Sequence, residues 1–384
     1  ESVKQFMIGG TVLALLAASC SAAGAGVESE ALAEVVAKEL LVGDEQTATT
    51  TFTVPESQTA MIAVRSTIAP DHPVPNSVSA GIGGAAQERI SNGGIPVFSG
   101  DFADPDVVSH DGLFFAYATN TLFMNVPILS TERNGVAGDA LPMLPTWSEP
   151  HHVWAPSVTE IGDRWLLHYT TRHTDSGRQC ISVAVGDDPG GSFVDDSTEP
   201  LVCPIDQGGA IDPSVVFDGA DPFLLWKSDG NCCGLPTIIY AQALSWDGTE
   251  VIGDPVELIR NDLLWERDVV EGPSMIEVGD TWWLFYSANR WDEAGYAVGL
   301  AECSSVLGPC LKQAEPWLDS IESLAGPGGL EVISLADRAA DLVVYHGWVD
   351  GEVGYPDGAR ALYARLVRWT RDGPVLIGGV SEGS

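Results

Sequence analysis

The sequence predicts an all-β protein: a single five-bladed β-propeller, preceded by a signal segment and a flexible N-terminal tether. Three observations predict it. From residue 100 onward one unit recurs five times, with its aligned positions Asp104, Ala155, Asp212, Gly272 and Gly329 falling 51, 57, 60 and 57 residues apart. Within each unit a tight Gly/Asp turn leads into a run such as residues 281–287 (TWWLFYS), whose period-two alternation is that of a strand. Glycine (42) and proline (24) make up roughly 17% of the chain, which favours many turns between short strands over long helices.

Taken in order, the copies are ADPDVVSHDGLFFAYAT from Ala103, WAPSVTEIGDRWLLHYTT from Trp154, IDPSVVFDGADPFLLWKS from Ile211, EGPSMIEVGDTWWLFYSA from Glu271 and a degenerate GGLEVISLADRAADLVVYHG from Gly328. Each reads as a strand opening on Pro-Ser-Val or a variant of it, a polar turn, and a second strand ending near an aromatic residue. Four or five strands over that length make a propeller blade, whereas a β-sandwich does not repeat such a register. In a propeller the innermost strand of each blade lines the central axis, so the aligned positions converge on one funnel.

The segments before the propeller read differently. Residues 7–18 (MIGGTVLALLAA) form an apolar run too short for a membrane span and suited to a secretory signal. Leu16-Ala17-Ala18-Ser19-Cys20 resembles a lipoprotein cleavage box that would leave a lipid on Cys20; simple cleavage, for example after Ala23, is the alternative. We therefore expect a leader over residues 1–20, a tether over 21–94 and the propeller over 95–376. Export accounts for the cysteines, since the six beyond Cys20 are an even set with no CxxC zinc spacing. Cys303 and Cys310 would close a short loop. Cys232 and Cys233 would either bridge each other or pair with Cys180 and Cys203.

Acidic residues number 54 against 18 basic ones, a net charge of −36, and only four of the cations are Lys. That balance repels phosphate backbones and anionic headgroups, which excludes nucleic acid as a partner and leaves a membrane only through a lipid on Cys20.

Asp104 and Asp212 share one repeat position, and Glu271 sits one residue before it in the fourth unit; Ala155 and Gly329 leave room there. Three carboxylates aimed into one funnel repel one another unless they share protons or bind a ligand. Environments that split their pKa values make one a base and another an acid, the equipment for hydrolysing a glycosidic bond. A calcium site built from the same oxygens is the competing reading.

Phe102-Ala103-Asp104-Pro105-Asp106, Trp154-Ala155-Pro156-Ser157, Ile211-Asp212-Pro213-Ser214 and Val270-Glu271-Gly272-Pro273-Ser274 resemble the motifs of glycoside hydrolase family 43. So do Asn125-Val126-Pro127-Ile128-Leu129-Ser130, Gly326-Pro327-Gly328-Gly329 and Tyr345-His346-Gly347-Trp348. The resemblance implies an inverting hydrolase of arabinose- or xylose-containing polysaccharides, with Asp104 as general base, Glu271 as general acid and Asp212 tuning and orienting the acid. Inversion leaves room for a water, so base and acid should lie roughly 6.5–9.5 Å apart. It also implies that Arg360, in Gly358-Ala359-Arg360, is the family's late arginine near the acid. Relatives with an axial calcium carry a histidine after Gly-Pro-Gly, where this chain has Gly329, leaving His346 as a replacement ligand for a structural calcium. The chemistry itself needs no cofactor.

Among the remaining candidates, Trp154 presents an aromatic face to a sugar or packs in the core, and Asn289 bonds a hydroxyl or shapes a turn. His152 lies within reach of the cleft. The expected protein is an exported monomer acting on polysaccharide, an α-L-arabinofuranosidase or arabinanase, with a β-xylosidase as the alternative substrate reading. A non-catalytic carbohydrate-binding propeller is the alternative from another class.

Overall fold

The computed structural model describes residues 96–131, 135–321, 323–335, 340–349 and 351–377; the expected leader and tether lie outside them. Five antiparallel sheets follow one another along the chain. The first holds β1 (Asp106–His110), β2 (Leu113–Tyr117), β3 (Pro127–Ser130) and β4 (Gly135–Asp139). The second holds β5 (Ser148–Ile161), β6 (Arg164–His173) and β7 (Gln179–Gly186), and the third β8 (Ala210–Asp218), β9 (Asp221–Ser228), β10 (Ile238–Leu244) and β11 (Val251–Arg260). The fourth holds β12 (Val270–Val278), β13 (Thr281–Ala288), β14 (Ala297–Cys303) and β15 (Cys310–Lys312), and the fifth β16 (Leu324–Ile333), β17 (Asp341–Val349), β18 (Arg360–Thr370) and β19 (Gly373–Ile377). The first strands pack β1 on β5, β5 on β8, β8 on β12, β12 on β16 and β16 back on β1, which closes a five-bladed ring. The second sheet has three strands rather than four, its outer edge carrying only isolated bridges from Val194 and Val202.

The aromatic alternation finds its purpose between blades. Along β13, Trp282, Leu284 and Tyr286 enter the core shared with the third blade, while Trp283 and Phe285 enter the core shared with the fifth. Both faces of such a strand are buried, so the alternation is between two apolar cores rather than between core and water. Each fully buried side chain contributes about 1.5–3 kcal/mol. The ring is tied shut by the segment before β1: Val97 N–H donates to Leu362 O at 2.7 Å, and Leu362 N–H to Phe98 O at 3.0 Å.

Three disulfides form among the six cysteines. Cys303–Cys310 closes the expected loop, Cys232 bonds its neighbour Cys233, and Cys180 bonds Cys203. The open choice in the sequence resolves as the vicinal bridge.

Candidate active site

The five aligned positions share one backbone conformation. Asp104, Ala155, Asp212, Gly272 and Gly329 have φ of 51°, 41°, 55°, 54° and 55°, all left-handed. In the second to fifth blades the strand pairing slips at this point. A bulge here turns the chain and re-aims its side chain, at a cost of roughly 1–2 kcal/mol for each non-glycine residue. At Gly329 no other residue fits, because a Cβ would stand 2.9 Å from Asp104 Cα and 2.7 Å from His346 Nδ1.

Each bulge N–H is capped by a side chain, and the caps follow the repeat. Ala155 N–H donates to Thr119 Oγ1 (3.0 Å), Asp212 N–H to Thr170 Oγ1 (3.0 Å), Gly329 N–H to Ser287 Oγ (2.9 Å) and Asp104 N–H to His346 Nδ1 (3.0 Å). Thr170, Ser287 and His346 sit on the second strand of the preceding blade, opposite the residue before its own bulge. In the third blade that place belongs to Lys227, opposite Ile211. An ammonium has no lone pair to offer, so Gly272 N–H donates to Asp212 Oδ2 instead, at 2.9 Å. The substitution frees Lys227 for another partner and fixes Asp212 against the fourth blade.

Asp104 keeps a more open carboxyl than Glu271, its side chain 23% exposed against 12%. Its Oδ2 accepts from Thr119 O–H at 2.6 Å and lies 3.8 Å from Arg360 Nη1. Burial alone would raise its pKa; the Arg360 guanidinium and the Thr119 hydroxyl outweigh it and hold the carboxyl below its ordinary value. The result is an ionised carboxylate that water can reach.

Glu271 is placed differently. Oε2 accepts from the fully buried Lys227 Nζ at 3.0 Å, and Oε1 accepts from Tyr296 O–H at 2.8 Å. Lys227 also lies 3.6 Å from Asp229 Oδ1. Burial disfavours its charge, but Glu271, Asp229 and Asp212 overcome that and keep the ammonium protonated. Asp212 is raised well above the carboxylate range by burial and then by the charges of Glu271 and Asp104, with Lys227 pulling the other way. The Tyr296 hydroxyl feels Glu271, Asp104 and Asp212 together. The arrangement therefore splits its acids: Asp104 is held ionised within reach of water, while Asp212, beside the buried cation, is pushed toward its protonated form.

The other sequence candidates fare unequally. Arg360 is buried beside Asp104, the base candidate, rather than beside the acid; its guanidinium lies over the Trp291 ring at 4.7 Å and its Nε–H donates to Tyr355 Oη at 3.2 Å. Asn289 sits in a turn: with φ 76° its Nδ2 donates to Gly295 O and its Oδ1 accepts from Arg290 N–H, which leaves one N–H and one lone pair of the amide for a hydroxyl. Trp154 and His152 line a cavity beside the second and third blades. Lys227, Tyr296 and Thr119 were not singled out from the sequence. Lys227 carried a signal, since it stands where Thr170, Ser287 and His346 stand.

His346, expected as the ligand of a structural calcium, has one ring nitrogen already engaged. Burial, with Arg360 nearby, pushes the ring down to about 3 against the pull of Asp104, so it is neutral. Its Nδ1 lone pair accepts Asp104 N–H, which leaves the proton on Nε2, a buried donor without a partner. A protonated nitrogen is no metal ligand, and among the described residues no three His, Cys, Asp or Glu side chains gather around a common point.

The model of glycosyl hydrolases family 43 matches residues 94–375. A probable arabinan endo-1,5-alpha-L-arabinosidase A of Aspergillus flavus is 24% identical over 280 residues, 67% of this chain and 85% of that protein. Among solved structures, a thermostable family-43 glycoside hydrolase superposes with a TM-score of 0.62 at 23% identity, covering 74% of this chain and 95% of its own. An endo-1,4-beta-xylanase from Bacteroides thetaiotaomicron superposes with a TM-score of 0.61 at 23% identity, covering 74% and 97%.

Proposed function

The chain belongs to glycosyl hydrolases family 43 and is a glycoside hydrolase, and from that premise we propose that it cleaves α-L-arabinofuranosides, in arabinan or as arabinose side chains, with inversion. The observation that carries the chemistry is the split environment of the acids. Asp104, ionised and open, takes a proton from water as the water attacks the anomeric carbon. Glu271, held by Lys227 and Tyr296, gives the proton to the leaving oxygen, next to an Asp212 whose pKa is raised by burial and then by the Glu271 charge. Asp212, tied to Gly272 N–H, orients and tunes that pair. Thr119 fixes Asp104 through Oδ2, and Arg360 keeps it charged. A binding propeller without catalysis would have no use for carboxyls in opposed protonation states.

The arabinose preference is supported by the relative named an arabinosidase; the similarity to a xylanase keeps β-xylosides as the alternative. Export is supported by the three disulfides and by the leader-like residues 7–18, with Cys20 as the lipid site. No helix among the described residues is long and apolar enough to cross a membrane.

A panel of arabinan, arabinoxylan and aryl glycosides, incubated with the full chain and followed by product analysis, tests the reading. Arabinose or arabino-oligosaccharides are expected; release of xylose alone would move the assignment to β-xylosides. The same panel with chelator is expected to run within about twofold of the untreated rate, because His346 has no free lone pair for an ion. A chelator-induced loss reversed by calcium would contradict that.

A further inference from the structure

Beside the catalytic funnel, between the second and third blades, lies a cavity of ≈ 360 Å³ lined by His152, Trp154, Arg172, Arg178, Gln179 and Asp229 among others. That is the small end of the range for ligand sites. Asp229 links it to the reaction centre: its Oδ1 is 3.6 Å from Lys227 Nζ, which is 3.0 Å from Glu271 Oε2. The cavity therefore opens on the acid's side, where the leaving group departs.

Two features of its wall await a ligand. Gln179 is 6% exposed, yet neither its Nε2 nor its Oε1 has a hydrogen-bond partner, a costly state for a buried amide. Arg178 points its Nη1 at Cys232 Sγ (3.1 Å) and Cys233 Sγ (2.6 Å), and sulfur is a weak acceptor. Among the described residues its guanidinium has no carboxylate within ion-pair distance, Asp229 across the cavity acting on it only at longer range, in a chain with three times as many acidic as basic residues. Arg172 adds a second cation, held by Gly177 O at 3.2 Å and His152 Nε2 at 3.3 Å, with Glu149 Oε2 at 3.6 Å. The pKa of His152 is lowered by burial and then by Arg172.

We propose that this cavity is a leaving-group-side subsite for a sugar bearing an anionic group, a uronate carboxylate or a sulfate ester. Trp154 offers the ring a flat apolar face, the Gln179 amide takes its hydroxyls, and the planar forks of Arg178 and Arg172 take the anion. The proposal rests on the glycosidase reading, because it places the cavity relative to the scissile bond.

The test is calorimetric titration of the full chain carrying Asp104→Asn, which binds without turnover. The probes are three xylo-oligosaccharides of equal length: unsubstituted, glucuronate-substituted and sulfated. An anionic probe is expected to bind roughly ten- to hundred-fold tighter than the neutral one. Arg178→Ala is expected to erase that ratio and Arg178→Lys to retain part of it; Arg178 makes no structural ion pair, so the variants fold. Preference for the carboxylate probe assigns a uronate and preference for the sulfate probe a sulfated sugar, and either upholds the site. Equal affinity for all three, or a preference that survives Arg178→Ala, overturns it. Turnover by the unmodified chain is read in parallel. Hydrolysis without anionic preference overturns the subsite alone, and anion binding without hydrolysis of any glycoside overturns the catalytic reading instead.

Discussion

Asp104→Asn and Glu271→Gln are each expected to lower kcat on an unactivated glycoside by roughly 10²–10⁴-fold, with the fold intact. Both changes are nearly isosteric. Asn is among the few residues that accept the left-handed backbone of position 104, and its amide oxygen still accepts from Thr119. At position 271 the Gln oxygen faces Lys227 while its NH₂ donates to Tyr296 Oη. The two variants separate on a substrate with a very good leaving group, which needs no protonation: Glu271→Gln recovers most of its rate and Asp104→Asn does not. The pH profile adds a sign. Asp104 is held below the ordinary carboxylate value of 3.8, so kcat/KM falls on the acid side only as pH drops through that depressed pKa. An acid limb at or above 3.8 contradicts the assignment of Asp104 as base.

Lys227→Met carries the second large effect. Removing a fully buried cation leaves Glu271 and Asp229 without their counter-charge, and breaking one side of such a cluster costs about 3–5 kcal/mol of stability. Asp229→Asn added to Lys227→Met is expected to recover part of that loss. A merely structural lysine would stop there. Because Lys227 pulls the Asp212 pKa down, its removal is also expected to move the alkaline limb of kcat/KM to higher pH. Activity assays across pH on the folded fraction, with stability read by denaturant titration, check both; an unmoved alkaline limb would confine Lys227 to packing.

The repeat was legible in the sequence because one register is written five times, and the register fixes which residues face the axis. That is why Asp104, Asp212 and Glu271 could be gathered from positions far apart in the chain. The direction in which a side chain leans is not written in the register. Arg360 reads as a partner of the acid, yet a strand adjoining the N-terminal segment delivers it to Asp104. Asn289 follows the second strand of its blade, where a left-handed turn engages part of its amide locally. His346 has a place in the cap series that its sequence context does not show, where it does for Asp104 what Thr170 does for Asp212. Lys227 hid inside an apolar strand, LLWKS, and only pairing the strands reveals that a donor stands where every other blade in the series has an acceptor. The missing fourth strand of the second blade left no mark, since bridges from Val194 and Val202 occupy its place without strand-like periodicity.

The central claim is a single displacement in which Asp104 activates water and Glu271 protonates the leaving oxygen. The anomer released first, followed by proton NMR during hydrolysis of an arabino- or xylo-oligosaccharide before mutarotation equilibrates the product, tests it most directly. Release of the anomer opposite to that of the substrate is the predicted result. Release of the same anomer would mean a covalent intermediate on one of these carboxylates, and would contradict the assignment of Asp104 as a base.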